Sequence, residues 1–171
     1  MAQYGRVEYW NERYQVDKDC FSWYQKYSGF RHLLTSEFLS SGDAGDSPTA
    51  GFPDRKSARV LIIGCGNDDL GESMLCDGWV GGLVCVDFSS VVIQQMREKY
   101  DGAFHTSLKK RFDSEMQMGA KKGGETEDDV PFIGMRFDCH DVTKALPYAD
   151  GSFDLIISKG TLDAVLCSAG S

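Results

Sequence analysis

The sequence predicts an α/β fold, an open and mostly parallel sheet with helices packed on it, on three observations. Apolar runs short enough to be strands alternate with segments of helical period. The first of them, Arg59-Val60-Leu61-Ile62-Ile63, breaks at Gly64-Cys65-Gly66 and enters a polar helix start, Asn67-Asp68-Asp69. The second, Leu83-Val84-Cys85-Val86, closes on an acid, Asp87, about 21 residues after Gly66. A Gly-x-Gly alone is common in turns. Strand before, helix after and a distal acid together describe a nucleotide-type cofactor site, in which the acid accepts the two hydroxyls of a ribose.

Taken in order, Arg6 to Tyr14 reads as a short helix with Trp10 and Tyr14 on one face. Phe21, Trp23, Tyr24, Tyr27 and Phe30 crowd the next stretch, and Phe30, Leu33, Leu34 and Phe38 form a helical stripe. Core packing accounts for most of these aromatics. A Ser, Gly, Asp and Pro-rich insertion, 41–57, separates this N-terminal helical part, 1–40, from the core, 58–171. The first strand is followed by a helix from about Asn67 to Cys76, with Asp68, Asp69 and Glu72 in its first turn, where acids suit the helix dipole. After Asp87, Ser89 or Ser90 caps a helix with Val92, Met96 and Tyr100 on one face. A second insertion, 101–131, carries mixed charge around glycines, with a short helix expected over Thr106 to Met118. Phe132 to Phe137 is the third strand, with Asp141-Val142 in the loop after it. Phe153 to Ile157 is the fourth strand, and Gly160 to Cys167 starts a further helix. Strands one and four are expected side by side, with two and three stepping outward. The switch point then lies between Gly64–Gly66 and Ser158-Lys159, where ligands bind.

Composition narrows the function. The 171 residues suffice for one domain with a core, and 42% are hydrophobic. No apolar run approaches a membrane span, and Met1 to Arg13 has no apolar signal region. Cysteines at 20, 65, 76, 85, 139 and 167 form no Cys-x-x-Cys pair. They read as reduced thiols in the cytoplasm, with no metal site. Cys139 and His140 are adjacent on an extended chain and point to opposite faces, which speaks against a Cys/His catalytic pair. A net charge of −8 makes nucleic acid a poor partner and suits a basic protein substrate, and no membrane partner is expected.

The helix start chooses between cofactor classes. A dinucleotide sets its pyrophosphate at that N-terminus, where Asp68 and Asp69 are costly. S-adenosylmethionine has no phosphate and carries an ammonium and a sulfonium, which carboxylates tolerate. The residues favour S-adenosylmethionine.

Gly64-Cys65-Gly66-Asn67, Val86-Asp87-Phe88-Ser89-Ser90-Val91-Val92, Phe153-Asp154-Leu155-Ile156-Ile157 and Lys159-Gly160-Thr161-Leu162-Asp163-Ala164 resemble class I S-adenosylmethionine-dependent methyltransferases. The nearest resemblance is to the methyltransferase-like group, of the endothelin-converting-enzyme-associated type, that modifies lysines of translation elongation factor 1 alpha. Glu8-Tyr9-Trp10-Asn11-Glu12-Arg13-Tyr14 is similar to its N-terminal signature, Tyr-Trp-x-x-Arg-Tyr. The resemblance implies a Rossmann-like three-layer sandwich. Trp10, Tyr14 and Trp23 would close over the methionine part of the cofactor, where an aromatic face stabilises a sulfonium. Gly64 and Gly66 would approach it by backbone, and Asp87 would hold the ribose. Phe88 would lie against the adenine, Asp141 and Val142 at its edge, and Lys159 would line the pocket. The implied substrate is a protein lysine, with elongation factor 1 alpha as the candidate.

Two departures stand out. Ser158 occupies the place of the family's usual acid, and no catalytic base is identified; Asp163 is a weak candidate. A complete domain of this class has seven strands, whereas this chain stops about 14 residues after its fourth, so the C-terminal strands are expected to be missing. A non-catalytic cofactor-binding module, and a small-molecule or RNA methyltransferase on the same fold, are the alternative readings.

Overall fold

The computed structural model describes residues 3–34, 53–100 and 134–168. Four strands, β1 (Val60–Ile63), β2 (Leu83–Asp87), β3 (Met135–Cys139) and β4 (Leu155–Ser158), form one sheet in the order β3-β2-β1-β4. Every pairing is parallel, with Val60 opposite both Leu83 and Leu155 and Leu83 opposite Met135. The expected adjacency of strands one and four is therefore present, and the architecture is α/β and Rossmann-like.

Five helices accompany the sheet among the described residues: α1 (Val7–Val16), α2 (Tyr27–Phe30), α3 (Leu70–Cys76), α4 (Ser90–Tyr100) and α5 (Leu162–Ser168). Alternation along the strands sorts side chains onto two faces. Val60, Ile62, Leu83, Cys85, Met135, Phe137 and Ile157 join the main core with Trp10 and Tyr14 of α1, Leu70 and Met74 of α3, and Val92, Ile93 and Met96 of α4. Leu61, Val84 and Val86 face the other way, beneath Val142, Leu146, Tyr148 and Phe153 from the segments flanking β3 and β4.

Side-chain bonds lock the elements. Ser89 Oγ accepts the Val92 N–H at 3.3 Å, which settles the cap of α4 on Ser89. Arg97, near the end of α4, donates to the Phe137 carbonyl from Nε at 2.9 Å and from Nη2 at 2.5 Å. Tyr27 donates to Asp77 at 2.6 Å and accepts from Trp79 Nε1 at 3.0 Å, holding the aromatic segment to α3. Burial, and then the Asp77 carboxylate, push the Tyr27 phenol up to about 12.

Several boundaries differ from expectation. The helix after β1 begins at Leu70, not Asn67, because Asp68 Oδ1 accepts the Leu70 N–H at 2.9 Å and Asn67 faces the N-terminal segment instead. The third strand runs to Cys139, since its register follows β2 rung by rung as far as Asp87 opposite Cys139. The expected stripe from Phe30 to Phe38 is one turn of α2 followed by a 3-10 turn, Arg31–Leu34; Phe38 lies outside the described residues. So do the expected helix over 106–118, the whole of the 101–131 insertion and most of the 41–57 insertion.

Candidate functional site

The carboxyl ends of β1 to β4 open on one cavity of about 220 Å³. Its floor starts where β1 ends. Gly64 and Gly66 have φ of +62° and +52°, a region that glycine enters without a Cβ penalty. Close approach fixes both choices independently. A Cβ on Gly64 would stand 1.9 Å from Thr161 Oγ1, and one on Gly66 would stand 2.8 Å from Tyr14 Oη.

Asp87 holds this loop from the end of β2. Its Oδ2 accepts the Gly66 N–H at 3.0 Å and its Oδ1 accepts the Ser89 N–H at 2.9 Å. The side chain is 6% exposed and faces the cavity. Burial raises its pKa above the ordinary 3.8, and the backbone N–H groups pull it back toward the charged form. Each carboxylate oxygen accepts one backbone bond and retains capacity for a ligand hydroxyl.

Phe88, Asp141 and Val142 form the wall beyond Asp87. Asp141 Oδ1 accepts from the Thr143 N–H at 2.9 Å and the Thr143 hydroxyl at 2.6 Å, and Lys144 lies 3.3 Å from Oδ2. The Thr143 bonds, with Lys144, hold its carboxyl below the usual range. His140 lines the same wall, whereas Cys139 is exposed with its thiol against the Phe88 carbonyl. The two side chains do part to opposite faces.

The N-terminal segment forms the roof. Trp10 and Tyr14 stack at 5.7 Å, Trp10 Nε1 donates to the Tyr4 carbonyl at 2.6 Å, and Trp23 meets Trp10 edge-on at 6.3 Å. Trp10 and Tyr14 are 8% and 6% exposed, so they belong to the core and line the cavity at once. Burial, then the nearby Asp87 carboxylate, drive the Tyr14 phenol far above its usual pKa, so it stays protonated over Gly66.

Lys159, after β4, closes the remaining side. Its ammonium donates to Asp68 Oδ2, to Ser22 Oγ at 2.5 Å and to the Gln25 carbonyl at 3.0 Å. The Lys159 and Asp68 side chains are 11% and 9% exposed. Lys159 thus lines the cavity as expected, but all three of its N–H groups already serve the protein.

All ten residues singled out in the sequence line this cavity: Trp10, Tyr14, Trp23, Gly64, Gly66, Asp87, Phe88, Asp141, Val142 and Lys159. Asp163 is not among the lining residues; it accepts the Tyr24 hydroxyl at 2.5 Å. Sequence reasoning missed Tyr4, Asp68 as the partner of Lys159, and Thr161 as the neighbour that excludes a Cβ at Gly64. Only Asp68, beside the glycine loop, carried a local signal.

Over 165 residues the chain is 31% identical to EEF1A lysine methyltransferase 4 of Bos taurus, which covers 95% of this chain and 46% of that protein. The homologous protein of Mus musculus is 28% identical over 166 residues, covering 96% and 47%. The chain is homologous to these methyltransferases. Human eEF1A lysine and N-terminal methyltransferase is 27% identical over 165 residues, covering 96% of the chain and 17% of that protein. The chain therefore spans about half the length of the first two relatives and less of the third. No protein-family model matches it.

The cavity suits the methyl donor that such homologues imply. Asp87 presents paired acceptors for a ribose, and the glycine loop leaves its backbone bare. Of the two acids weighed against a dinucleotide, Asp68 lines the cavity beside the glycine loop and Asp69 does not. The Asp68–Lys159 pair closes the side of the cavity beside the glycine loop, with the Lys159 donors already used within the protein.

Proposed function

We propose that the chain is a class I S-adenosylmethionine-dependent methyltransferase that modifies a lysine of a basic protein, with elongation factor 1 alpha as the candidate acceptor. Asp87 against the Gly66 loop, on the floor of an aromatic-roofed cavity, carries this reading. Homology to enzymes named for eEF1A lysine methylation supports the acceptor class. S-adenosylmethionine would supply a methyl on a positively charged sulfur, passed to a neutral amine as the carbon–sulfur bond breaks and a thioether remains.

In this reading Asp87 holds the ribose hydroxyls, Phe88 and Val142 flank the adenine, and Asp141 accepts at its edge. Asp68 accepts from the ammonium of the amino-acid end, and Lys159 lines that end and holds Asp68 in place, without a phosphate-binding device. Trp10, Tyr14 and Trp23 face the sulfonium, stabilise positive charge with their ring faces, and keep water out. The protein's contribution is alignment and desolvation. Free thiols at Cys20, Cys65, Cys76, Cys85 and Cys139 suit the reducing cytoplasm proposed as its location.

Calorimetry with S-adenosylhomocysteine and with NAD tests the cofactor. Tighter binding of NAD would sink the proposal. Methyl incorporation from labelled donor into elongation factor 1 alpha, lost when its lysines are blocked, tests the acceptor.

A further inference from the structure

A second cavity, of about 320 Å³, abuts the first across the roof. Trp10, Tyr14, Phe21, Trp23 and Asn67 line both. Its centre is a cation held by rings. The guanidinium carbon of Arg13 lies 5.5 Å from the Trp10 ring centroid, 5.3 Å from Phe21 and 5.4 Å from Trp23, all inside cation–π range. The rings stand edge-on to one another, Phe21 to Trp23 at 83° and Trp10 to Trp23 at 73°, so they make three sides of a box. The ionic partner of Arg13 is weak: Asp17 is 3.8 Å away and its side chain is 65% exposed.

We infer that this aromatic box is the subsite for the acceptor's lysine side chain, and that Arg13 occupies it until the acceptor arrives. The inference rests on the methyltransferase reading and adds to it the place where the amine enters. The box already binds a cation through ring faces, without a buried carboxylate. A lysine ammonium makes the same contacts, and a methylated ammonium makes them too. Four aromatic residues, Trp10, Tyr14, Phe21 and Trp23, line both this box and the donor cavity, so an amine entering here lies beside the donor. When Arg13 swings out, Asp17 and Asp19 outnumber Lys18 on the rim, which suits a basic segment. Arg13 then acts as a specificity residue, setting how strongly a cation must bind to displace it.

Two of the three tryptophans lie in the box, so their fluorescence reports its occupancy. The probes are n-butylammonium and butyltrimethylammonium, with 1-butanol as the neutral control. Both cations should quench saturably and 1-butanol should not. Arg13→Gln should tighten both cations at least fivefold. Phe21→Ala, at a side chain 47% exposed and tolerant of truncation, should weaken them at least fivefold. Equal binding of 1-butanol, or unchanged cation affinity in either folded variant, overturns the inference. S-adenosylhomocysteine calorimetry on the same samples separates the two readings. Intact cofactor binding without cation binding removes the subsite alone. Cation binding without cofactor binding removes the methyltransferase reading and, with it, the acceptor role.

Discussion

Asp87 meets two demands with one carboxylate, tying the glycine loop to α4 and presenting acceptors to a ligand. Asp87→Ala should weaken S-adenosylhomocysteine binding by about 1.5–3 kcal/mol, the scale of hydrogen bonds to a charged group. Isothermal calorimetry checks this, and an unchanged affinity would remove Asp87 from the site. Its raised pKa fixes the sign of two pH effects. An acid whose pKa rises on folding favours the folded state below its ordinary 3.8, and that contribution is lost as pH climbs through the raised value. Burial therefore makes the charged form a cost to the ligand-free protein, one that ligand hydroxyls would offset under the proposed function. Affinity should fall on acidification, starting above pH 3.8, and Asp87→Ala should flatten that limb. The glycines answer to different neighbours. Gly66→Ala requires only that the Tyr14 hydroxyl shift, plus about 1–2 kcal/mol of left-handed strain. Gly64→Ala drives into Thr161 Oγ1, which itself donates to the Ile63 carbonyl at 2.9 Å, so it should cost more. Urea melts that rank the two the other way would show that this loop can rearrange.

At the scale of elements, the roof is joined to the sheet by side chains. Asn67 donates to the Asp19 carbonyl at 2.5 Å, Ser89 to Asn11 at 2.7 Å, and Gln95 to the Tyr14 carbonyl at 2.8 Å. Lys159 reaches Ser22 and Gln25 from the far side. Lys159→Met should destabilise by about 3–5 kcal/mol, because it strands the nearly buried Asp68 carboxylate. The double variant with Asp68→Asn should be more stable than Lys159→Met alone. Denaturant melts across the double-mutant cycle check this, and additive losses would mean that the two charges do not sense each other. Much of this was legible in advance. Apolar runs with β-branched residues marked β1, β2 and β4 within two residues, and the strand order followed from alternation with helices. The ten site residues fell together because glycine breaks and strand-end acids lie at a sheet's carboxyl rim whatever the side chains elsewhere do. The rest was hidden for a physical reason. Lys159 meets Asp68 across 91 residues, Ser22 across 137, and Asn67 meets Asp19 across 48. Such pairs have no period or spacing to betray them. The end of β3 was placed two residues short, at Phe137, because Asp138 and Cys139 carry no apolar signal and only pairing with β2 extends the strand to Cys139.

For the molecule as a whole, β4 is the outer strand of the sheet among the described residues, and its burial is uneven. Ile157 is 9% exposed, but Ile156 is 59%, and on α5 beside it Leu162 is 57% and Leu166 73%. An apolar strand at a sheet edge invites pairing with another chain. The 171-residue chain should therefore self-associate at high concentration, and Ile156→Lys with Leu166→Lys should reduce that association without loss of folding. Light scattering with circular dichroism checks this; a monodisperse parent chain would mean that this edge is covered. The attachment of the roof by hydrogen-bonded side chains has a different consequence. Such a roof is expected to open in a step of its own, before unfolding of the sheet. Any ligand that needs the roof closed binds with its intrinsic affinity multiplied by the closed fraction. A variant that touches no ligand, such as Gln95→Ala on α4, would then lower affinity by loosening the roof. Ligand would in turn slow amide exchange from 7 to 25 far more than in β1 or β2. Under the proposed function, cofactor strength would in part measure how often the first helix lets go.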